Sequence, residues 1–140
     1  MRRVSATQHA NLALGVEMAN VLVVDDDEDI RDIVALRLGV VGHTVRQASN
    51  GDECLEAIES ERPDIILLDI QMPRMNGIDV CRNIKANPEF SLIPVLLLTA
   101  RGQESDVSKG FDAGADDYIV KPFSLQELQS RVERFLRVSR

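Results

Sequence analysis

Five residues stand where apolar runs give way to polar chain and carry groups suited to binding a cation or handling a phosphoryl group. Asp25 and Asp26 follow "NVLVV", Asp69 closes "DIILLD", Thr99 closes "PVLLLT" and Lys121 follows "DYIV". Carboxylates gathered at one place repel, and each has its pKa raised unless a cation joins them. The ligand atoms on offer are all oxygens, with no His or Cys at ligand spacing. Such a set selects a hard ion, and two or three carboxylates plus waters suit Mg²⁺ better than Ca²⁺. With a hydroxyl on Thr99 and an ammonium on Lys121, the set meets the needs of phosphoryl transfer to an aspartate, where the work is mostly positioning and neutralising oxygens. The sequence holds no Walker-type Gly-rich loop, so a bound nucleotide is not indicated.

Each residue taken singly has a plainer reading. Asp69 would cap a turn before "QMPRMNG", Thr99 would be a β-former at a strand end, and Lys121 one more surface lysine. The joint reading depends on elements that bring them to one edge. Apolar β-rich runs recur at "NVLVV", "TVRQA", "DIILLD", "PVLLLT" and "DYIV", separated by segments with helical spacing of apolar residues. In the first helix Ile30, Ile33, Val34, Leu38 and Val41 form the expected stripe, and Gly42 marks its end. In the last helix the stripe is Leu125, Leu128, Val132, Phe135 and Leu136, opened by a capping box of Ser124 and Glu127. Asn50 and Asn76 are the predicted N-caps of the second and third helices, and Gly114 closes the fourth.

Continuously apolar strands such as "IILL" and "VLLL" belong in a parallel sheet covered on both faces. The alternation therefore predicts a five-stranded, doubly wound α/β domain with five helices. In such sheets ligands bind beyond the carboxyl ends of the strands, which is where Asp25, Asp26, Asp69, Thr99 and Lys121 fall. Asp27, Glu28 and Asp29 are read instead as the start of the first helix, where its dipole favours acids.

Composition narrows the function classes. The chain of 140 residues reads as one domain: residues 1–18 as a flexible N-terminal extension and 19–140 as the folded part. Its net charge of −7 argues against direct binding of nucleic acid. Two cysteines, Cys54 and Cys81, are too few for a disulfide framework and point to a reducing cytoplasm. The N-terminal segment makes a poor signal peptide, and no apolar run approaches membrane-spanning length. Cys54, Cys81, Met72 and Met75 are read as packing or loop residues, and His9 and His43 have no partner at ligand spacing.

With these residues on the page, the sequence resembles the receiver domain of two-component response regulators over residues 20–137, approximately. Its carriers are "VLVVDDDEDIR", "DIILLDIQMPRMNGID", "IPVLLLTA" and "GADDYIVKPF". The resemblance implies a flavodoxin-like sheet of order 2-1-3-4-5. It implies Asp69 as phosphoacceptor, Asp26 as direct Mg²⁺ ligand, Asp25 on a metal-bound water, and Gln71 giving its backbone carbonyl to the metal. Thr99 and Lys121 would contact the phosphoryl oxygens, and Lys121–Pro122 would be a cis peptide. The donor would be a sensor histidine kinase or a histidine phosphotransfer protein. On this reading the domain catalyses only its own phosphorylation and dephosphorylation and is a signalling module rather than an enzyme.

The resemblance also implies a switch, in which Tyr118 moves inward as Thr99 shifts. The face of the fourth helix, fifth strand and fifth helix would then bind a partner or a second copy, with Asp116, Asp117, Lys109 and Arg131 as candidate cross-dimer ion pairs. The segment "NPEFSLIP" is longer than in winged-helix regulators that dimerise this way and is more like that of stand-alone receivers or of those attached to signalling enzymes. Gln71 and Arg101 would flank the approach of the hydrolytic water. Two other readings stay open. A haloacid-dehalogenase-type phosphohydrolase would use Asp25-x-Asp27, but needs a further acidic pair downstream, where only nineteen residues follow Lys121 and Glu127 and Glu133 are isolated. A receiver-like module that binds partners without being phosphorylated is the third.

Overall fold

In the computed structural model, which describes residues 18–103 and 105–137, strand and helix alternate as β1 (Asn20–Val24), α1 (Glu28–Val40), β2 (Thr44–Ala48), α2 (Gly51–Ser60), β3 (Ile65–Asp69), α3 (Gly77–Ala86), β4 (Val95–Ala100), α4 (Ser105–Asp112), β5 (Asp117–Lys121) and α5 (Leu125–Arg134). Every strand pairing is parallel, and the order is β2-β1-β3-β4-β5. This is the predicted doubly wound, flavodoxin-like sheet. The strand order reverses at β1, so the ligand crevice opens at the carboxyl ends of β1 and β3.

Register brings the charged residues together. Val24 lies opposite Leu68, so the next residues on the two strands, Asp25 and Asp69, become neighbours. Asp69 pairs in turn with Leu98, and Ala100 with Lys121.

Successive strand side chains point to opposite faces, and the sheet divides the core accordingly. On one face Leu22, Val24, Ile66 and Leu68 pack with Ile58 of α2 and Val80 and Ile84 of α3. On the other, Val23, Ile65 and Leu67 pack with Val34 and Leu38 of α1 and Leu128 and Val132 of α5. Burying an aliphatic side chain of this size contributes about 1.5–3 kcal/mol, so the apolar strands anchor the sheet and leave their polar ends at its edge.

Helix starts follow the predicted caps at Asn50, Asn76 and Ser124, and α1 adds one at Asp27. The Asp27 carboxylate accepts from the Asp29 and Ile30 amides, with Glu28 and Asp29 in the first turn of α1. Asn50, Asn76 and Ser124 accept from Glu53, Ile78 and Glu127. Each cap satisfies an amide that the helix itself leaves without a partner. β3 begins at Ile65 rather than Asp64, because the Asp64 carboxylate accepts from the Asn20 amide at 2.8 Å.

The apolar stripes need correction. Ile33 is 48% exposed, because α1 turns Val34 and Leu38 into the core and leaves Ile33 on its flank. Val41 is the C-cap of α1, and Gly42 follows with φ +109. Phe135 caps α5, and Leu136 beyond it is still buried. Met18, read with the extension, is fully buried in the α1 and α5 side of the core. Residues 1–17, and His9 with them, lie outside the described residues.

At the start of α3, Gly77 donates its amide to the Ile70 carbonyl at 2.7 Å. A Cβ there would run into the Asp69 carbonyl oxygen and sit 2.8 Å from the Ile70 Cα, whereas one on Gly39 of α1 meets nothing within 4 Å. Gly77→Ala is expected to lower stability by about 2 kcal/mol through overpacking against backbone. Gly39→Ala is expected to raise it by up to about 1 kcal/mol through helix propensity. Urea unfolding midpoints of the two variants check both signs.

Candidate functional site

Four strand ends supply the site. Asp25 and Asp26 follow β1, Asp69 is the last residue of β3, Thr99 lies in β4 and Lys121 ends β5. One carboxylate oxygen from each of Asp25, Asp26 and Asp69 lies within 4.8 Å of the others. Asp25 and Asp69 are buried, while Asp26 is exposed. Lys121 Nζ donates to Asp25 Oδ2 at 2.7 Å and stands 3.4 Å from Asp69 Oδ1. The other Asp25 oxygen accepts from the Asp27 amide at 2.9 Å, and Arg31 donates to the Asp25 carbonyl at 2.8 Å.

The electrostatics follow from that crowding. Burial pushes the Asp69 carboxyl up, the Asp25 charge pushes it further, and Lys121 only partly offsets them, leaving it at about 7. Burial by itself would lower the Lys121 ammonium, but its hydrogen bond to Asp25 and the charge of Asp69 hold it above the usual lysine value. The Lys121 ammonium thus stands against three carboxylates. An all-oxygen donor set with surplus negative charge fits a hard divalent ion such as Mg²⁺, and Asp25, Asp26 and Asp69 are the residues that would hold it.

An open cavity of about 240 Å³ lies over the cluster, lined by Asp25, Asp26, Asp27, Asp69, Gln71, Ala100 and Lys121. Thr99 is not in its wall. Its side chain is buried and its Oγ1 has no hydrogen-bond partner among the described residues, an arrangement that native proteins rarely leave without a reason. Ala100, which sequence reasoning passed over, takes the wall position instead. Its signal was available: it follows Thr99 and pairs with Lys121. Arg31 was also missed, since its link to the Asp25 backbone depends on how α1 packs beside β1.

Other predicted residues fall into place around this centre. Lys121–Pro122 is cis. Tyr118 is half-buried, and its ring meets that of Phe111 edge to face at 6.0 Å. Arg101 is exposed and its amide donates to the Lys121 carbonyl at 3.2 Å, but it does not line the cavity. The proposed cross-dimer ion pairs require correction. Asp117 is buried and bound within the chain to Arg131 and Arg134, both at 3.1 Å. Asp116 is held by Lys85 at 2.9 Å and accepts from the Val95 amide at 2.8 Å. Among the four, Lys109 is an exposed lysine on α4.

Cys54 and Cys81 are free and buried, and burial pushes their thiols up to about 12 and about 11. Both are packing residues, as read from the sequence. His43 is also buried. Its Nδ1 accepts from the Ala19 amide at 3.1 Å and its Nε2 is 3.6 Å from Glu133. The phosphohydrolase reading loses its parts here. Asp27 is engaged as the cap of α1, and Glu133 faces His43 rather than the cavity.

Known proteins point the same way. Residues 21–133 match the family described as the response regulator receiver domain. Response regulator MprA of Mycobacterium ulcerans is 46% identical over 117 residues, which cover 84% of this chain and 50% of that protein. The chain spans about half the length of the curated relatives it matches. Among solved structures, a putative response regulator from Chloroflexus aurantiacus is 38% identical with a TM-score of 0.81, covering 86% of this chain and 98% of that one. The chemotaxis response regulator CheY4 of Vibrio cholerae is 33% identical with a TM-score of 0.80, over 85% and 99% of the two chains. The strand-end cluster of Asp25, Asp69 and Lys121 thus sits in a fold and a sequence shared with these proteins, and the chain belongs to the response regulator receiver domain family.

Proposed function

We propose that Asp69 accepts a phosphoryl group from a phosphohistidine on a sensor histidine kinase or histidine phosphotransfer protein. An oxygen of the Asp69 carboxylate attacks phosphorus, an O–P bond forms as the P–N bond breaks, and the imidazole leaves and takes up a proton. The observation that carries this reading is the placement of Asp69 beside Asp25 and Asp26, with Lys121 Nζ 3.4 Å away, at the floor of an open cavity. Asp26, Asp69 and the Gln71 carbonyl, with Asp25 through a bound water, would hold Mg²⁺, which would supply the positive charge that transferring oxygens require.

The chain's own groups do the rest. Lys121 is pinned between two carboxylates, so its ammonium is already oriented for an incoming phosphoryl oxygen. Thr99 has an unpartnered hydroxyl to donate. A phosphoryl group brings dense negative charge and strong acceptor oxygens, which draw Thr99 toward the cavity and leave space for the half-buried Tyr118. The face of α4, β5 and α5 is then the output surface, for a partner protein or a second copy. Removal of the group by water completes the cycle, and Arg101, exposed just past β4, is the residue whose length would tune that step. A cytoplasmic setting suits a phosphohistidine donor, and no helix among the described residues is long and apolar enough to cross a membrane.

Two measurements test the reading. Incubation with a small acyl-phosphate donor is expected to add one phosphoryl group, read by intact mass, only when Mg²⁺ is present and Asp69 is intact. Asp69→Asn is expected to give no adduct, and an adduct on that variant removes the assignment.

The second concerns pH. Asp69 binds its proton more tightly folded than unfolded, so its contribution to stability is present at low pH and is lost as pH rises from about 4 to about 7. In metal-free protein, Asp69→Asn is therefore expected to gain stability over the parent by roughly 1–3 kcal/mol more at about pH 8 than at about pH 5. Mg²⁺ is expected to stabilise the parent more than the variant at the higher pH. Thermal unfolding at the two pH values, with and without the ion, checks both.

A further inference from the structure

Asp26 differs from the other two carboxylates in how it is held. The Asp25 side chain is fixed by Lys121 and by the Asp27 amide, and buried Asp69 stands 3.4 Å from Lys121. Asp26 is exposed, and among the described residues no hydrogen bond or ion pair reaches its carboxylate. A carboxylate oxygen of Asp26 nevertheless lies within 4.8 Å of one from each of the others. Its place therefore depends on the backbone, and above all on the peptide that joins Asp25 to Asp26.

That peptide lies just past the end of β1, and a residue of α1 holds it. Arg31, half-buried, donates Nη1 to the Asp25 carbonyl at 2.8 Å, while its Nε donates to Gln47 Oε1 of β2 at 3.2 Å. The Asp25 amide donates to the Ala48 carbonyl, also of β2, at 3.2 Å. Both backbone polar groups of Asp25 are thus tied, directly or through Arg31, to the end of β2. A guanidinium carries its donors in a rigid planar fork, and a hydrogen bond from an ionised donor is stronger than a neutral one. Because the peptide unit is planar, fixing its carbonyl oxygen fixes the direction in which the chain enters Asp26.

We infer that Arg31 is a positioning residue for the metal: by holding the Asp25 carbonyl it aims the Asp26 carboxylate at the point where Asp25 and Asp69 converge. The inference rests on the reading that Asp26 and Asp69 bind Mg²⁺. A guanidinium near a cation site also has a purely electrostatic effect, and it has the opposite sign, since a fixed positive charge repels a second one. If charge governs, removing Arg31 tightens Mg²⁺ binding. If position governs, removing it weakens binding.

Mg²⁺ titrations of the full chain, followed by the shifts of its backbone amide NMR signals, separate the two and show in the same spectra that each variant is folded. Arg31→Met, which removes fork and charge together, is expected to weaken Mg²⁺ binding about tenfold, the lower end of what losing a ligand's supporting partner costs. Gln47→Leu changes no charge and releases only the brace on Arg31, so it is expected to weaken binding by a smaller factor. On an Asp26→Asn background Arg31→Met is expected to have little further effect, because the carboxylate it aims is gone. Unchanged or tighter binding by Arg31→Met overturns the inference, as does a loss of about tenfold that persists on the Asp26→Asn background. If the Arg31→Met spectrum shows an unfolded chain, Gln47→Leu decides, and unchanged affinity there overturns the inference. A parent chain that binds no Mg²⁺ overturns the reading of the site and the inference with it. A parent that binds, and loses binding with Asp69→Asn, keeps the reading of the site whatever Arg31→Met does.

Discussion

Lys121 Nζ lies 2.7 Å from Asp25 and 3.4 Å from Asp69, so one ammonium serves two buried carboxylates. Those carboxylates repel, and burial weakens the screening that water would give. The arrangement persists because a rigid parallel sheet imposes it. Val24 and Leu68 are locked in register by apolar packing on both faces, and the residues that follow them have nowhere else to go. The core thus holds a charge cluster together that would disperse in a flexible chain.

The surrounding elements meet the conditions set by that cluster. Asp27 takes no part in binding the lysine; it caps α1, while its amide occupies the second Asp25 oxygen. Gly77 lets α3 begin close against the backbone of Asp69 and Ile70. Farther out, Lys85 bonds the Ser91 and Ile93 carbonyls and Asp116, tying the loop before β4 to the turn before β5. Arg131 and Arg134 bind Asp117 and hold α5 to the start of β5. These charges stabilise the position of β4 and β5, the strands that carry Thr99 and Lys121, and so support the site at a distance.

Among the described residues, Thr99 and His43 each bury a side-chain polar atom that has no hydrogen-bond partner, and Thr99 is the one beside the site. A buried hydroxyl without a partner costs free energy, typically about 1–3 kcal/mol, and here it stands next to the cavity wall rather than in it. On the neighbouring strand β5, Tyr118 is half-buried and its ring meets that of Phe111 edge to face. The β1 and β3 end of the site is tightly packed, and the β4 and β5 end holds the unsatisfied group.

Sequence by itself determined the architecture and the main members of the site. Alternating apolar runs and helical stripes are local patterns, and the residues just past each strand are fixed by chain order once the sheet is parallel. Caps were legible for the same reason, since Asn50, Asn76 and Ser124 bond amides two or three residues away, while Asp27, read only as an acid at the helix start, proves to be the cap of α1. What only the tertiary structure decided concerns pairs distant in sequence. Ile33 belongs to the apolar stripe by spacing, yet the way α1 sits on the sheet leaves it in water. Met18 enters the core because Gly42 leaves space for it. Asp116 and Asp117 read as charges for a partner, but Lys85, Arg131 and Arg134 reach them first. The seating of Lys121 between Asp25 and Asp69 spans most of the chain. Residue types can propose such contacts, and only packing selects among them, because a charged side chain takes whichever partner the fold brings within reach.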